Sequence, residues 1–446
     1  MKIVFLTPGT GSYYCGVCMR DNAIAREMIR QGHEALLVPM YLPLTLDEQS
    51  ASTNLPVFYG GISVYLKQKF AFFRATPRWL DKLLNARGFL RLAGRQAGMT
   101  GGQDLGPITI SMLRGEDGNQ ARELEDLVRW VAQERPDVVW LSTALLAGLA
   151  RRIKHELDIP VFCSLQGEDT FLDELTEPSR TEAWKTLADR ARDLECVVAP
   201  SAWYAELMGR RMQLAPEQLR IIPNAINLEG YAPGEPEQPP VIGFLARFIP
   251  GKGLGLVVDA FLELKRRGRF PQTRLRCIGA MTAGDERYVQ TLQKKIAAAG
   301  LTADVEFRPN VSREEKIAGL QTLTLLTTPT TYGESFGLYL IEAMAAGVPV
   351  VQPRTAAFTE IVEQTGGGLL FDEITPPALA DAWESLLADP ARARELGRRG
   401  RASVESDYSI ERLASNLLAL AREKTAHSIG PIGHMSPIGP ISAPAA

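Results

Sequence analysis

A chain of 446 residues is longer than one hydrophobic core usually serves, so two domains are expected. The 45% apolar and 23% charged residues are typical of a soluble globular protein, and a net charge of −3 argues against a dedicated nucleic-acid-binding protein. No apolar run is long enough to span a membrane, the residues around the first strand do not have the pattern expected of a secretory leader, and the five scattered cysteines fit a reducing cytoplasm.

The first predicted elements are the strand KIVFL, a turn, and a helix that includes the sequence RDNAIAREMIRQ. Gly11 and Gly16 lie at the turn together with the Cys15-x-x-Cys18 pair. This pattern fits three kinds of site: a redox dithiol, half of a zinc site, or a glycine-containing loop that approaches a phosphate. Apolar residues recur at helical spacing as far as Gly32, which ends the helix.

Residues 62–96 interrupt the alternation of strands and helices. Aromatic side chains are interleaved there with eight basic ones, and Asp81 is the single acid. The basic residues are Lys67, Lys69, Arg74, Arg78, Lys82, Arg87, Arg91 and Arg95. A basic, aromatic, amphipathic stretch is able to lie on an anionic membrane, and it is equally able to bind a phosphorylated or carboxylated ligand. We favour a helical insertion whose aromatic rings pack beside a substrate cleft, with peripheral membrane contact as an alternative.

Apolar strands and helices alternate through both halves of the chain. After KIVFL, the strands of the first half are EALLVPMY, DVVWLS, VFCSL and CVVAPS, and those of the second are VIGFLA, LRCIGA, ADVEFR, LTLLTTP and GVPVVQP. Continuous apolar strands separated by helices predict parallel sheets covered on both faces. Two such runs predict an α/β protein with two Rossmann-like, doubly wound domains. We place these domains at 1–230 and 240–407, with a Pro- and Glu-rich seam at 228–240.

The first strand of the second half is followed by two cations. Arg247 lies at the end of the strand, and Lys252 lies in the glycine-rich loop before the next helix. The carboxyl edge of a parallel sheet is where a ligand phosphate binds in doubly wound folds. Either cation alone is commonly a solvated loop residue, but the two together beside a glycine-rich turn favour phosphate binding.

The segment TTPTTYGESFGLYLIEAMAAG predicts a strand, a turn that carries Glu334, and a helix that begins near Ser335. Ser335 is a suitable N-cap, and Gly337 allows another molecule to approach the backbone. Free amides at Phe336, Gly337 and Leu338 would form an anion site strengthened by the helix dipole.

A second carboxylate follows on the same helix. Glu342 lies about five residues beyond Gly337, which is about 7 Å along the helix axis at about 1.5 Å per residue. This distance is about the span from a sugar ring, across a diphosphate, to a ribose. Glu334 and Glu342 would therefore accept hydrogen bonds from hydroxyls at the two ends of such a ligand. The motif alone is equally consistent with a capped helix and a solvent-facing Glu342, and Arg247 with Lys252 decides for the ligand.

The chain ends with one more helix and a tail. Residues 408–425 place Leu413, Leu417 and Leu420 in helical register. The tail 427–446 is rich in Gly, Pro and Ser and is expected to be disordered.

Three motifs together resemble the retaining glycosyltransferases of the GT4 family, which have the GT-B fold: GFLARFIPGKGLGLVVDAFLEL, RIIPNAINLEGY and YGESFGLYLIEAMAAGVPVV. The similarity extends from residue 1 to about residue 425 and is strongest in the second half. It implies two Rossmann-like domains that face a cleft, the N-terminal domain for the acceptor and the C-terminal domain for a nucleotide-sugar donor. It also implies that the helix at 408–425 crosses back to the N-terminal domain.

The resemblance implies roles for individual residues. Arg247 and Lys252 would hold the donor diphosphate, Glu334 would contact the transferred sugar, and Glu342 would contact the ribose. Gly16 would lie in a loop that closes on the diphosphate from the N-terminal domain. The implied donor-binding set is Gly16, Arg247, Lys252, Glu334, Ser335, Phe336, Gly337, Leu338 and Glu342.

One position departs from the family pattern. Relatives often have a histidine after the strand that VFCSL represents, whereas this chain has Gln166, Gly167, Glu168 and Asp169. Gln166 can hydrogen-bond a sugar hydroxyl but cannot accept a proton as imidazole does. The expected base is then a phosphate oxygen of the leaving group, in a front-face reaction, with Glu168 or Asp169 as alternatives. The catalytic candidates are Glu334, Arg247, Lys252 and Gln166, and the acceptor-side candidates are Gln166, Glu168 and Asp169.

With this resemblance, the sequence implies a cytoplasmic, metal-independent, retaining hexosyltransferase that needs no cofactor. The expected donor is a UDP-linked sugar, and the acceptor is a sugar, a lipid-linked sugar or a small molecule. Two alternatives stay open: a nucleotide-sugar epimerase on the same fold, and a thiol redox or metal protein centred on Cys15 and Cys18. We favour a phosphate-side loop that carries thiols, because no other close pair of potential zinc ligands accompanies the two cysteines.

Overall fold

The computed structural model describes residues 1–9, 16–46, 48–52, 56–59 and 102–428. The predicted insertion at 62–96 lies outside the described residues. So do Gly11, Cys15 and the tail from 429 onwards.

The described chain forms two parallel sheets, each of six strands. The first sheet has the order β2-β1-β3-β4-β5-β6 and the second β12-β11-β10-β7-β8-β9. The strands of the first are β1 Lys2–Thr7, β2 Glu34–Pro39, β3 Val138–Leu141, β4 Val161–Ser164, β5 Cys196–Ala199 and β6 Leu219–Ile221. Those of the second are β7 Val241–Leu245, β8 Arg274–Gly279, β9 Val305–Pro309, β10 Leu325–Leu326, β11 Val350–Pro353 and β12 Gly368–Phe371.

Helices connect the strands and cover the sheets. Those of the first half are α1 Gly16–Arg30, α2 Gly102–Leu113, α3 Ala121–Glu134, α4 Ala150–Leu157, α5 Glu168–Asp173, α6 Ser179–Ala191 and α7 Ala202–Arg211. Those of the second are α8 Leu254–Arg267, α9 Glu286–Ala298, α10 Arg313–Gln321, α11 Leu338–Ala345, α12 Ala356–Thr365, α13 Pro376–Leu387 and α14 Pro390–Asp407, followed by α15 Ile410–Ser428. Short 3-10 turns occupy Gly115–Asp117, Ala144–Leu149, Pro216–Gln218, Pro250–Lys252 and Thr302–Asp304.

The strands are apolar on both faces because both faces are covered. In β1, Val4 and Leu6 point into one buried cluster, and Ile3 and Phe5 point into another on the opposite face. Period-two side-chain alternation sends neighbours to opposite faces, so a continuous apolar run is what such a strand requires. The prediction of two doubly wound α/β domains is confirmed. The short strands β6 and β12 were not predicted.

Helix α15 returns to the first half of the chain, as predicted. Leu413 and Leu417 lie in one buried cluster with Ile24 and Met28 of α1. Just before α15, Tyr408 still packs in the second half, with its ring 6.0 Å from that of Phe336. The helix therefore ties the two domains together across the cleft. Among the described helices, none has the length and apolar character needed to cross a membrane.

Candidate active site

A cavity of about 430 Å³ lies between the two domains, at the carboxyl ends of their sheets. The N-terminal wall includes Gly16, Arg20, Gln166 and Asn224. The second wall holds the residues predicted from the strand ends and the glycine-rich turns of the second half. Every predicted donor-binding residue lines this cavity: Gly16, Arg247, Lys252, Glu334, Ser335, Phe336, Gly337, Leu338 and Glu342.

Lys252 and Glu334 form an ion pair in the cavity wall. Lys252 Nζ lies 2.5 Å from Glu334 Oε2, and the Tyr339 hydroxyl donates to the same oxygen at 2.9 Å. The ammonium also lies 5.1 Å from the ring centre of Tyr332, a favourable cation–π distance. Burial opposes the charge on Lys252, but Glu334 outweighs burial, and the pKa of Lys252 is raised above its ordinary value. Lys252 is therefore a cation throughout the neutral range.

Arg247 is held by a carboxylate that the sequence did not reveal. Its Nε donates to Asp285 Oδ2 at 3.2 Å and its Nη2 donates to Oδ1 at 3.1 Å. The backbone N–H and the hydroxyl of Thr282 also donate to Asp285 Oδ2, both at 2.8 Å. Burial opposes ionisation of Asp285, but these bonds and Arg247 outweigh it and lower its pKa. Asp285 thus fixes the orientation of the guanidinium at the cavity edge.

Glu342 also lines the second wall of the cavity. Its Oε1 accepts from Lys316 Nζ at 2.6 Å and from the Tyr231 hydroxyl at 3.0 Å. Lys316 lies in α10, and Tyr231 lies in the predicted seam. The carboxylate is therefore fixed in the cavity wall rather than free in solvent, which was the alternative considered from its motif.

The helix after Glu334 begins later than predicted. Its N-cap is Gly337, in the left-handed region with φ of 96°, and α11 starts at Leu338 rather than near Ser335. Ser335 is buried, and its carbonyl accepts a hydrogen bond from the Ser201 hydroxyl at 2.8 Å. The prediction of Ser335 as N-cap is therefore wrong, because the Ser-Phe-Gly segment forms a turn that only reaches helical geometry after the glycine. Gly337 and Leu338 still line the cavity, at the start of the helix.

Of the acceptor-side candidates, Gln166 lines the cavity and the two carboxylates do not. Glu168 is 3% exposed, and its oxygens accept from Thr143 Oγ1 at 2.7 Å and from the backbone N–H of Gln166 at 2.9 Å. The Tyr204 hydroxyl lies 3.1 Å from Glu168 and 2.8 Å from Asp169. Burial, with the two acids, raises the pKa of Tyr204. This geometry makes Glu168 and Asp169 supports of the Gln166 loop, where the sequence suggested alternative bases.

Gln166 has a neighbour on the same wall. Asn224 Nδ2 donates to Gln166 Oε1 at 3.4 Å. Buried Gln166 Nε2 and Asn224 Oδ1 have no hydrogen-bond partner among the described residues. One group is a donor and the other an acceptor, which together match a hydroxyl.

Helix α1 contributes a buried ion pair that was not predicted. Arg20 Nη1 lies 3.1 Å from Asp21 Oδ1, and Nη2 donates to Ser164 Oγ at 3.3 Å. Burial lowers the pKa of Arg20 despite the neighbouring Asp21, and burial raises the pKa of Asp21. The pair follows the turn whose cysteines raised the redox and metal alternatives. Cys18 is buried, with the Thr7 hydroxyl 3.7 Å from its Sγ, while Cys15 is outside the described part of the chain.

Two families match this chain. The family described as glycosyl transferases group 1 matches residues 231–403, and the family described as Glycosyltransferase Family 4 matches residues 103–229. The chain is 31% identical over 335 residues to D-inositol 3-phosphate glycosyltransferase of Nocardia farcinica, covering 70% of this chain and 69% of the relative.

Other relatives match over shorter stretches. Phosphatidyl-myo-inositol mannosyltransferase of Mycobacterium leprae is 30% identical over 225 residues, which cover 47% of this chain and 58% of the relative. GDP-mannose-dependent alpha-(1-6)-phosphatidylinositol monomannoside mannosyltransferase of Mycolicibacterium smegmatis is 33% identical over 168 residues, which cover 36% and 42%.

Solved structures share the fold. Sucrose-phosphate synthase from Thermosynechococcus elongatus superimposes with a TM-score of 0.71 at 19% identity, over 96% of this chain and 100% of that chain. Anabaena HepE, solved in complex with UDP, superimposes with a TM-score of 0.62 at 17% identity, over 95% and 100%. At these identities the likeness establishes the GT-B fold alone. The 31% identity to the Nocardia enzyme, together with the two family matches, shows that this chain belongs to the GT4 family of glycosyltransferases.

Proposed function

We propose that this protein transfers a hexose from a UDP-linked donor to a hydroxyl of its acceptor, with retention of the anomeric configuration. The observation that carries the proposal is the convergence of Arg247, Lys252 and the start of α11 on one cavity wall, opposite Gly16. Two cations beside a helix N-terminus suit a diphosphate bridge. Glu334 then lies on the sugar side of the bridge and Glu342 on the ribose side.

The chemistry follows from this placement of charge. Breaking the bond between the sugar and the diphosphate develops negative charge on the departing phosphate, and Arg247 with Lys252 stabilises it. Gln166 cannot accept a proton, and Glu168 and Asp169 lie behind the cavity wall. A phosphate oxygen of the leaving group is therefore the base that deprotonates the acceptor hydroxyl on the same face of the sugar. Contact between the two domains keeps water away from the donor.

The class of acceptor is proposed from the acceptors of the relatives. Two of the relatives described above are named for transfer to D-inositol 3-phosphate or to phosphatidyl-myo-inositol. We propose a sugar, lipid-linked or small polyol acceptor, with inositol phosphates as the first to test. The protein acts in the cytoplasm in this proposal, and 62–96 is the segment that would contact a membrane surface.

Adding UDP is expected to raise the melting temperature. At a concentration about 100 times its Kd, a ligand that binds only the folded state adds about 2.7 kcal/mol. For domains of this size that corresponds to a shift of about 5–11 °C. A thermal-shift panel of UDP, GDP and their hexose derivatives measures it. Arg354→Ala, which breaks a surface ion pair with Glu363 and Asp372, is a matched control and should keep the shift. A flat response to every nucleotide contradicts the proposed function.

Chelation is expected to leave turnover unchanged. Arg247 and Lys252 supply the positive charge that a divalent ion provides in metal-dependent transferases, so EDTA should remove nothing that the reaction needs. The measurement is UDP release with and without EDTA, followed by added Mg²⁺ or Mn²⁺. Activity that falls with EDTA and returns with the metal would show that the two cations are insufficient.

A further inference from the structure

Three consecutive residues at the start of α7 contact the C-terminal domain. The Ser201 hydroxyl donates to the Ser335 carbonyl at 2.8 Å. The backbone N–H of Ala202 donates to the Glu360 carboxylate, 2.8 Å from Oε2 and 3.1 Å from Oε1. The N–H of Trp203 lies 3.4 Å from the same Oε2. These bonds join a helix of one domain to a loop and a helix of the other.

The bond to Glu360 is a helix cap supplied from the opposite domain. Glu360 lies 158 residues away from Ala202 in the sequence, in α12. The first amides of a helix lack partners within it and carry partial positive charge, so a carboxylate is their favoured partner. Ser201 itself caps the Tyr204 amide at 3.2 Å. Capping at the start of α7 is therefore complete when the two domains are in contact.

Trp203 also contacts the other domain through its ring, which packs against Gly333. A Cβ added at Gly333 would lie 2.4 Å from Cη2 and 2.7 Å from Cζ2 of Trp203. Gly333 is not among the glycines with positive φ, so its own backbone would accept an alanine. The indole of Trp203, from the N-terminal domain, leaves no room for a side chain at residue 333. Gly333 and Ser335 flank Glu334, so α7 contacts the Glu334 loop on both sides.

The same helix also reaches the other wall of the cavity. Tyr204, the residue after Trp203, bonds Glu168 and Asp169 through its hydroxyl. Those carboxylates support the loop of Gln166, whose backbone N–H donates to Glu168. One short helix is thus bonded to the segments that carry Glu334 and Gln166.

We propose that the start of α7, together with Glu360 and Gly333, forms an interdomain latch that positions Glu334 against the Gln166 wall when the cleft is closed. The latch comprises Ser201, Ala202, Trp203, Gly333, Ser335 and Glu360. Its inference rests on the proposed function, because the donor drives the closure that it stabilises. Glu360 and Trp203 are positioning residues, since they act on the substrate through Glu334.

A double-mutant cycle between Gly333 and Trp203 tests the latch. Gly333→Ala is expected to lower kcat about tenfold and to reduce the UDP-induced decrease in the radius of gyration, because the new methyl meets the indole. In a Trp203→Ala background, the same substitution should cost little in either measurement. Small-angle scattering measures the closure of the cleft as a decrease in the radius of gyration. The kcat for UDP release measures the effect of closure on turnover. A Gly333→Ala defect of equal size in both backgrounds overturns the proposal.

Glu360→Gln is a second, milder test with a matched control. It keeps the side-chain size but removes the charge that faces the amides of α7, and we expect a several-fold loss of kcat with reduced compaction. Glu363→Gln, on the same helix and paired with the exposed Arg354, should change neither. UDP should still raise the melting temperature of every variant, because the diphosphate residues are untouched. If UDP compacts Glu360→Gln as much as it compacts wild type, the latch is overturned. If UDP neither compacts wild type nor raises its melting temperature, the proposed function is refuted instead.

Discussion

Replacing Arg247 and Lys252 together with alanine is expected to weaken UDP binding by about 10³-fold. Each charge-assisted hydrogen bond to a phosphate contributes about 1.5–3 kcal/mol, and the double variant loses at least two of them. Both cations line the same cavity wall, and Asp285 and Glu334 hold them there at 3.1 Å and 2.5 Å. Isothermal titration of UDP against the double variant measures the loss directly, without knowledge of the acceptor.

Two controls separate this effect from a general loss of positive charge. Arg266→Ala removes an exposed cation of α8 that pairs with Glu263, and it should leave UDP affinity unchanged. Arg247→Lys keeps the charge but loses the planar fork that Asp285 orients, so it should fall between wild type and alanine. UDP affinity equal to wild type in the double variant would place the diphosphate elsewhere.

The pH dependence of binding follows from the raised pKa of Lys252. Glu334 outweighs burial, so the folded-state pKa lies above the unfolded value of about 10.5. The stabilisation from this cation is complete below the unfolded pKa and is lost only as the pH rises through the folded one. Titration of Lys252 should therefore cause no loss of UDP affinity between about pH 7 and 9.

The residues that sequence reasoning found share one property: their position follows from strand–turn–helix order alone. Arg247, Lys252, Glu334 and Gly337 each follow a strand of a parallel sheet, and the carboxyl ends of such strands meet at one edge. The alternation of apolar strands with helices was enough to predict that edge. No knowledge of distant partners was needed to bring these residues together.

The residues that sequence reasoning missed or misjudged depend on partners far away in the chain. Asp285 is 38 residues from Arg247, and Glu360 is 158 residues from Ala202, so local spacing gives no signal for either pair. Glu168 looked like an available acid because its partners, Thr143 and Tyr204, come from other elements. Ser335 has the chemistry of an N-cap, and only the backbone turn at Gly337 excludes it from that position.

Glu334→Gln is expected to lower turnover of the UDP-sugar by about 100-fold while leaving UDP affinity equal or tighter. The carboxylate is proposed to accept hydrogen bonds from sugar hydroxyls, and the neutral amide accepts them more weakly and only through one oxygen. Glu334 also holds Lys252 at 2.5 Å, so it competes with the diphosphate for that cation. Losing the charge removes the competitor. The measurements are kcat/KM for UDP release and calorimetric Kd for UDP.

A fall in turnover without a fall in UDP affinity is what makes the test decisive. If Glu334 merely held its loop in place through Tyr339, Tyr339→Phe would reproduce the loss, because it removes the hydroxyl that donates to Glu334 at 2.9 Å. That variant keeps the carboxylate and should lose less than about tenfold, the effect of one hydrogen bond of about 1 kcal/mol. A Glu334→Gln variant whose UDP affinity falls in parallel with turnover would instead show that Glu334 contributes to diphosphate binding by positioning Lys252. The sugar would then be recognised by the other wall, where Gln166 Nε2 and Asn224 Oδ1 offer a donor and an acceptor.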